Sequence, residues 1–62
     1  MILDALRKKY EAEIASAKAN INVYQTNPAG IGEHPDVMES LVFEMKQIAE
    51  YQDILEVAED IL

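Results

Sequence analysis

The acidic side chains in the last third of the sequence are the residues with the clearest chemical potential. Their Glu-x-x-Asp and Glu-x-x-Glu spacings place carboxylates on one face of a helix, where they could bind a hard cation such as Mg²⁺. A solvated acidic face, partly neutralised by basic residues elsewhere, is the simpler interpretation of the same pattern. The group consists of Glu50, Asp53, Glu56, Glu59 and Asp60.

This acidic spacing resembles that of the all-α nucleoside triphosphate pyrophosphohydrolases, a family of metal-dependent enzymes. The resemblance implies two acidic motifs on successive helices. The first predicted helix offers only Glu11 and Glu13, which lie on opposite sides of it. We keep such an enzyme as an alternative, and we expect no enzymatic activity, no catalytic residue and no metal ligand.

A single histidine and a pair of glycines are further candidates for chemistry. His34 directly follows Glu33, so the Glu-x-x-His spacing of a di-iron helical bundle is absent, and a helix cap explains the histidine. Gly30 and Gly32 could present backbone N–H groups to an anion, but neither a preceding strand nor a P-loop lysine accompanies them. We therefore expect turn glycines and no cofactor.

Three tyrosines could form an exposed aromatic patch, because tyrosine is enriched at interaction hot spots. Their spacing instead favours packing between helices with the hydroxyl groups at the edge. They are Tyr10, Tyr24 and Tyr51.

Composition and charge narrow the class of protein. The net charge of −7 opposes binding to the phosphates of nucleic acids. Half of the residues are hydrophobic, glycine and proline occur twice each, and cysteine is absent, which favours an all-α protein without disulfides. A basic cluster follows the apolar start, the reverse of a secretory signal, and no run reaches the roughly 18 apolar residues of a membrane span. We expect a cytoplasmic protein that binds neither nucleic acid nor membrane.

Apolar residues recur about every 3.5 positions in two segments, which predicts two amphipathic helices. The helices cover residues 2–26 and 35–62, with a linker at residues 27–34, in a single domain. Pro28 ends the first helix, and Pro35 suits the first turn of the second. The predicted buried seams are Leu3, Leu6, Tyr10, Ile14, Ala17, Ile21 and Tyr24 in the first helix and Leu41, Met45, Ile48, Gln52, Leu55, Ala58 and Leu62 in the second.

The two helices are expected to fold into an antiparallel hairpin. The expected register sets Leu6 beside Leu55 and, two turns further along, Ile14 beside Ile48. It also brings the basic residues 7–9 beside Asp53, Glu56, Glu59 and Asp60, so that the two helices attract each other.

The second helix carries further apolar residues outside its predicted buried seam. These residues and the seam cannot both pack against the first helix. Without disulfides, a structural metal or oligomerisation, so small a scaffold retains only about 3–5 kcal/mol of stability. We therefore predict a homodimer in which two hairpins form a four-helix bundle. The oligomer interface is assigned to Phe43, Tyr51, Ile54, Val57 and Ile61.

The segment NPAGIGEHPDV at residues 27–37, preceded by a helix with the sequence KYEA at residues 9–12, resembles short uncharacterised proteins encoded by marine tailed bacteriophages. The likeness covers nearly the whole chain and implies neither an activity nor a site residue. It implies a small protein of the host cytoplasm that acts by association.

The functional expectation is a small acidic, non-enzymatic protein that acts by protein–protein association, as a phage accessory or host-modulating factor. Its expected partner is itself, and another protein is a further candidate. The alternative within this class is an acidic DNA mimic, whose carboxylates imitate phosphates and occupy a basic protein.

Overall fold

The computed structural model of the protein describes residues 1–26 and 36–62, which form two helices and no strand. Helix α1 spans Ile2–Thr26 and helix α2 spans Asp36–Ile61. The two helices pack against each other as a rod whose Cα atoms extend over 45 × 15 × 10 Å. The predicted all-α fold of two packed helices is confirmed.

Contacts toward the two ends show that the helices are antiparallel. Near the start of α1, Arg7 pairs with Glu59 near the end of α2. Three to four turns further along α1, Asn20 Nδ2 donates a hydrogen bond to Glu44 Oε1 at 3.3 Å. The sequence-based bounds of 2–26 and 35–62 differ from these helices by one residue at each end of α2. The predicted turn at residues 27–34 and the predicted role of Pro35 lie outside the described residues.

The buried stripe of α1 is the one predicted from its apolar spacing. Every predicted position is half-buried or buried, while the alanines and charged residues between them are mostly exposed. The pattern identifies this stripe because α1 has only one continuous apolar row of large side chains.

The buried stripe of α2 differs from the predicted one. Met45 and Leu62 are 52% and 66% exposed, and Gln52 is also exposed. Glu44 lies at the helix interface in place of Met45, and Tyr51 lies there in place of Gln52. Each is one position earlier than the predicted residue. The half-buried or buried positions of α2 are Val37, Ser40, Leu41, Glu44, Gln47, Ile48, Tyr51, Ile54, Leu55 and Ala58.

Compared with the prediction, α2 is rotated about its own axis by one residue. Two specific contacts account for this rotation. The ring of Tyr51 packs on Tyr10, with ring centroids 5.0 Å apart, and Glu44 accepts the hydrogen bond from Asn20. An aromatic pair adds about 0.5–1.5 kcal/mol beyond its buried area, so it competes well with a Gln52 contact. The pairing also fits the predicted register, because it lies between the Leu6 and Ile14 levels.

The core of the hairpin is thin. In the parts of the chain for which burial is described, only Ala17 and Ala58 are buried, at 4% and 5% exposure. All larger apolar side chains there keep part of their surface in water. Alanine at these positions allows the helices to approach closely, but it contributes little buried area.

Leu55→Asp is expected to unfold the hairpin, because it places an uncompensated carboxylate at the half-buried helix interface. The cost is on the order of 3 kcal/mol, which is most of the stability of so small a core. Far-ultraviolet circular dichroism should show the loss of helix. Glu39→Gln, at an exposed position of the same helix, serves as the control and should leave the spectrum unchanged. A wild-type spectrum for Leu55→Asp would contradict the seam assignment.

Candidate association surface

Tyr10 and Tyr51 meet about a third of the way along α1 from its first residue. Their rings are tilted by 35° at a centroid distance of 5.0 Å, and the Lys9 ammonium lies 5.5 Å from the centre of the Tyr10 ring. The Tyr51 hydroxyl donates a hydrogen bond to Gln47 Oε1 on the preceding turn of α2. Tyr24 is likewise half-buried. The tyrosines therefore lie along the helix interface, as their spacing indicates.

The environment of Tyr51 favours the neutral phenol. Its pKa is raised above the ordinary value of 10.0, first because burial disfavours the phenolate and then because a carboxylate lies nearby. The charged and ionisable neighbours that raise the pKa are, in order of effect, Glu13, Glu50, Tyr10 and Glu44.

An open apolar groove occupies the end of the hairpin opposite residues 26 and 36, called here the open end. It has a volume of about 540 Å³, and apolar side chains from both helices form most of its wall. Glu50 and Asp53 stand along it. The lining residues are Leu6, Glu50, Asp53, Ile54, Val57, Ala58, Ile61 and Leu62.

The five residues assigned to the oligomer interface fall into two groups. Phe43, Val57 and Ile61 are 59%, 56% and 72% exposed in the hairpin. Tyr51 and Ile54 are half-buried at the edge of the helix interface. Three of the five, Ile54, Val57 and Ile61, line the open-end groove together.

Four of these five residues, all except Tyr51, form a larger surface together with Leu6 and Tyr24 of α1, and we call this surface the apolar face. Spacings of 11, 3 and 4 residues place Phe43, Ile54, Val57 and Ile61 on one side of α2. On α1, 18 residues or five full turns separate Leu6, in the open-end groove, from Tyr24, which shares a groove with Phe43. The apolar face therefore consists of two patches on the same side of the rod, one toward each end: Leu6, Ile54, Val57 and Ile61 at the open end, and Tyr24 and Phe43 toward the other end.

A second exposed apolar cluster, on the half of α2 nearest residue 36, was not singled out from the sequence. Met38 and Val42 are 67% and 43% exposed, and they line a groove of about 320 Å³ with Phe43 and Lys46. Their spacing gives little signal because α2 carries apolar residues on most of its circumference, so the choice of exposed side depends on the rotation of the helix.

The acidic residues of α2 are mostly exposed, and one of them pairs with the basic cluster. Arg7 Nε and Nη2 both donate to Glu59 Oε1, at 3.1 and 2.9 Å, and Arg7 Nη1 lies 3.7 Å from Asp4. Because Arg7 and Glu59 are 41% and 52% exposed, this pair stabilises the hairpin by about 0–1 kcal/mol. Glu50, Asp53, Glu56 and Asp60 are exposed to solvent.

Among the described residues, no three acidic or histidine side chains lie close enough together to bind a metal ion. His34, Gly30 and Gly32 lie outside those residues. Neither described helix is long and apolar enough to cross a membrane. No protein-family model, curated protein or solved structure matches the chain.

The raised pKa of Tyr51 makes the hairpin sensitive to alkali. The stabilisation associated with neutral Tyr51 is complete below its unfolded pKa, near 10.0, and is lost as the pH rises through the higher folded pKa. We expect Tyr51→Phe to remove the tyrosinate transition that lies above pH 10.0 and to flatten the alkaline loss of helicity. Absorbance titration combined with circular dichroism measures both, and Tyr24→Phe is the control that keeps the Tyr51 transition. An unchanged alkaline profile in Tyr51→Phe would contradict this assignment.

Proposed function

We propose that the chain is a small acidic, non-enzymatic protein that acts by protein–protein association, and that its first partner is a second copy of itself. The main support for this proposal is the exposure of the apolar face to solvent. Its α2 side chains Phe43, Val57 and Ile61 are more than half exposed in the hairpin. Exposed apolar patches bordered by charged residues are typical of interaction sites.

The thin core supports self-association in particular. Within the described segments only two alanines are fully buried and the larger apolar side chains keep part of their surface in water, so the hairpin alone does not gain all the hydrophobic stabilisation that its apolar residues could give. Covering the apolar face with a second hairpin would bury one side of each helix and produce a four-helix bundle. A two-fold homodimer is the simplest such assembly, because the same face then serves both chains.

The biological setting proposed with this function is the host cytoplasm of a bacteriophage infection. It is based on the likeness of residues 27–37 to marine phage proteins, and it assigns the chain an accessory or host-modulating role. In that role a second protein would bind a surface that the homodimer leaves uncovered, such as the exposed side of α2 that carries Met38 and Val42.

Acidic DNA mimicry is a second candidate, and it is favoured by one observation. Glu50, Asp53, Glu56 and Asp60 are exposed on α2, as a surface that imitates phosphates requires. The pairing of Glu59 with Arg7 counts against mimicry at that position, because a paired carboxylate attracts a basic protein less strongly. Association through the apolar face explains more of the exposed surface.

Light scattering on a sizing column across a dilution series tests the homodimer. We expect twice the chain mass of 7.0 kDa at high micromolar concentration, with helicity lost only as the dimer dissociates. Val57→Glu should weaken the dimer by about 3 kcal/mol, roughly a hundredfold in dissociation constant, because both copies would place a carboxylate in the interface.

Gln52→Glu is the matched control, because it adds the same charge at an exposed position on the far side of α2. It should keep the wild-type mass. A wild-type chain that is monomeric and fully helical at every concentration would overturn the proposed self-association. So would an unchanged dimer in Val57→Glu.

A further inference from the structure

The apolar face admits two ways of placing a second hairpin upon it with two-fold symmetry. If the axis runs along the helices, α1 of each chain lies on α2 of its partner and the two open ends coincide. If the axis runs across the helices, α2 lies on the partner's α2 and the open end of one chain meets the other end of its partner. This choice rests on the proposed homodimer, and three observations distinguish the two arrangements.

The first observation is the unequal charge of the two helices. Helix α2 carries eight acidic residues and one lysine, a net charge of −7, whereas α1 carries four basic and three acidic residues, a net charge of +1. Placing α2 on α2 would bring two strongly acidic helices into contact, and like charges in an interface are costly. The axis along the helices separates the two α2 helices diagonally and surrounds each with the two α1 helices.

The second observation is the difference between the two ends of the apolar face. At the open end, the apolar side chains of Leu6, Ile54, Val57 and Ile61 form most of the groove, and the carboxylates of Glu50 and Asp53 stand along it. Toward the other end, the groove beside Tyr24 and Phe43 includes the carboxylates of Glu39 and Glu44. Alignment of like ends packs apolar groove on apolar groove. The opposite alignment covers those carboxylates with apolar side chains, which disfavours it.

The third observation is the position of Lys9. It follows Leu6 by three residues and therefore lies on the same side of α1, while Glu50 and Asp53 stand along the groove that Leu6 lines. Because Tyr10 packs on Tyr51, Lys9 lies at the level of Glu50 and Asp53 along the rod. When α1 is placed on the partner's α2 with like ends aligned, Lys9 of each chain faces these two carboxylates of the other.

We propose that the second copy binds the apolar face with the two-fold axis along the helices, so that α1 packs on the partner's α2, the open ends coincide, and Lys9 pairs with Glu50 and Asp53 across the interface. In this bundle every neighbouring pair of helices is antiparallel and opposite in net charge. The face that binds is the same on both chains, so the assembly closes at two copies.

Crosslinking of single-cysteine chains tests this arrangement, since the native sequence contains no cysteine. A Lys9→Cys chain is mixed with a Glu50→Cys chain that carries a larger tag, and a short bismaleimide is added at a concentration where light scattering shows dimers. We expect the mixed species to be the dominant product and Glu50→Cys alone to give little product. Lys8→Cys mixed with Glu50→Cys is the matched control and should lose the mixed product, because Lys8 lies a third of a turn away on α1.

The possible outcomes separate this inference from the proposed function. Dimers in which Glu50→Cys crosslinks to itself, and in which the Lys9→Cys mixture does not react, would overturn the arrangement and leave self-association standing. Monomers of the wild-type chain at all concentrations would overturn both. Dominant mixed product from dimers, lost in the Lys8→Cys control, supports both.

Discussion

Two antiparallel helices can shield only one stripe of each other from water, and most features of this protein follow from that geometric limit. The stripe of α1 is narrow, and α2 carries apolar residues well beyond the part that α1 covers. Because Ala17 and Ala58 are the most buried of the residues whose burial is described, close approach of the helices is achieved with small side chains. Other large apolar side chains, among them Phe43, Val57 and Ile61, are left outside the helix interface, where a further helix layer can cover them.

The charges of the two helices add a second constraint, because they favour one relative orientation of the helices. The ion pair that joins Arg7 of α1 to Glu59 of α2 is exposed and contributes little free energy. The division of charge between the helices nevertheless favours the antiparallel arrangement, because it sets basic residues of α1 beside acidic residues of α2. The same unequal charge acts on any acidic or basic partner, since the excess negative charge is concentrated on α2.

The amount that sequence reasoning could predict differs between the helices for a physical reason. On α1 a single row from Leu3 to Tyr24 is apolar, so the period alone identifies the buried face. On α2 a row that includes Gln52 and one that includes Tyr51 fit the same period, and they differ by a rotation of one residue. The choice depends on contacts with α1, namely the ring of Tyr10 and the amide of Asn20, which the spacing of α2 does not contain.

The stacked tyrosines have a spectroscopic consequence. The sequence contains no tryptophan and three tyrosines, so its near-ultraviolet absorption and emission come mainly from phenol rings. Two of the three rings, Tyr10 and Tyr51, are 5.0 Å apart but belong to different helices, and Tyr51 also donates a hydrogen bond to Gln47. Their emission and near-ultraviolet dichroism therefore depend on whether the two helices are in contact. The hairpin carries an intrinsic optical reporter of helix separation, about a third of the way along the rod from its open end, that requires no added label.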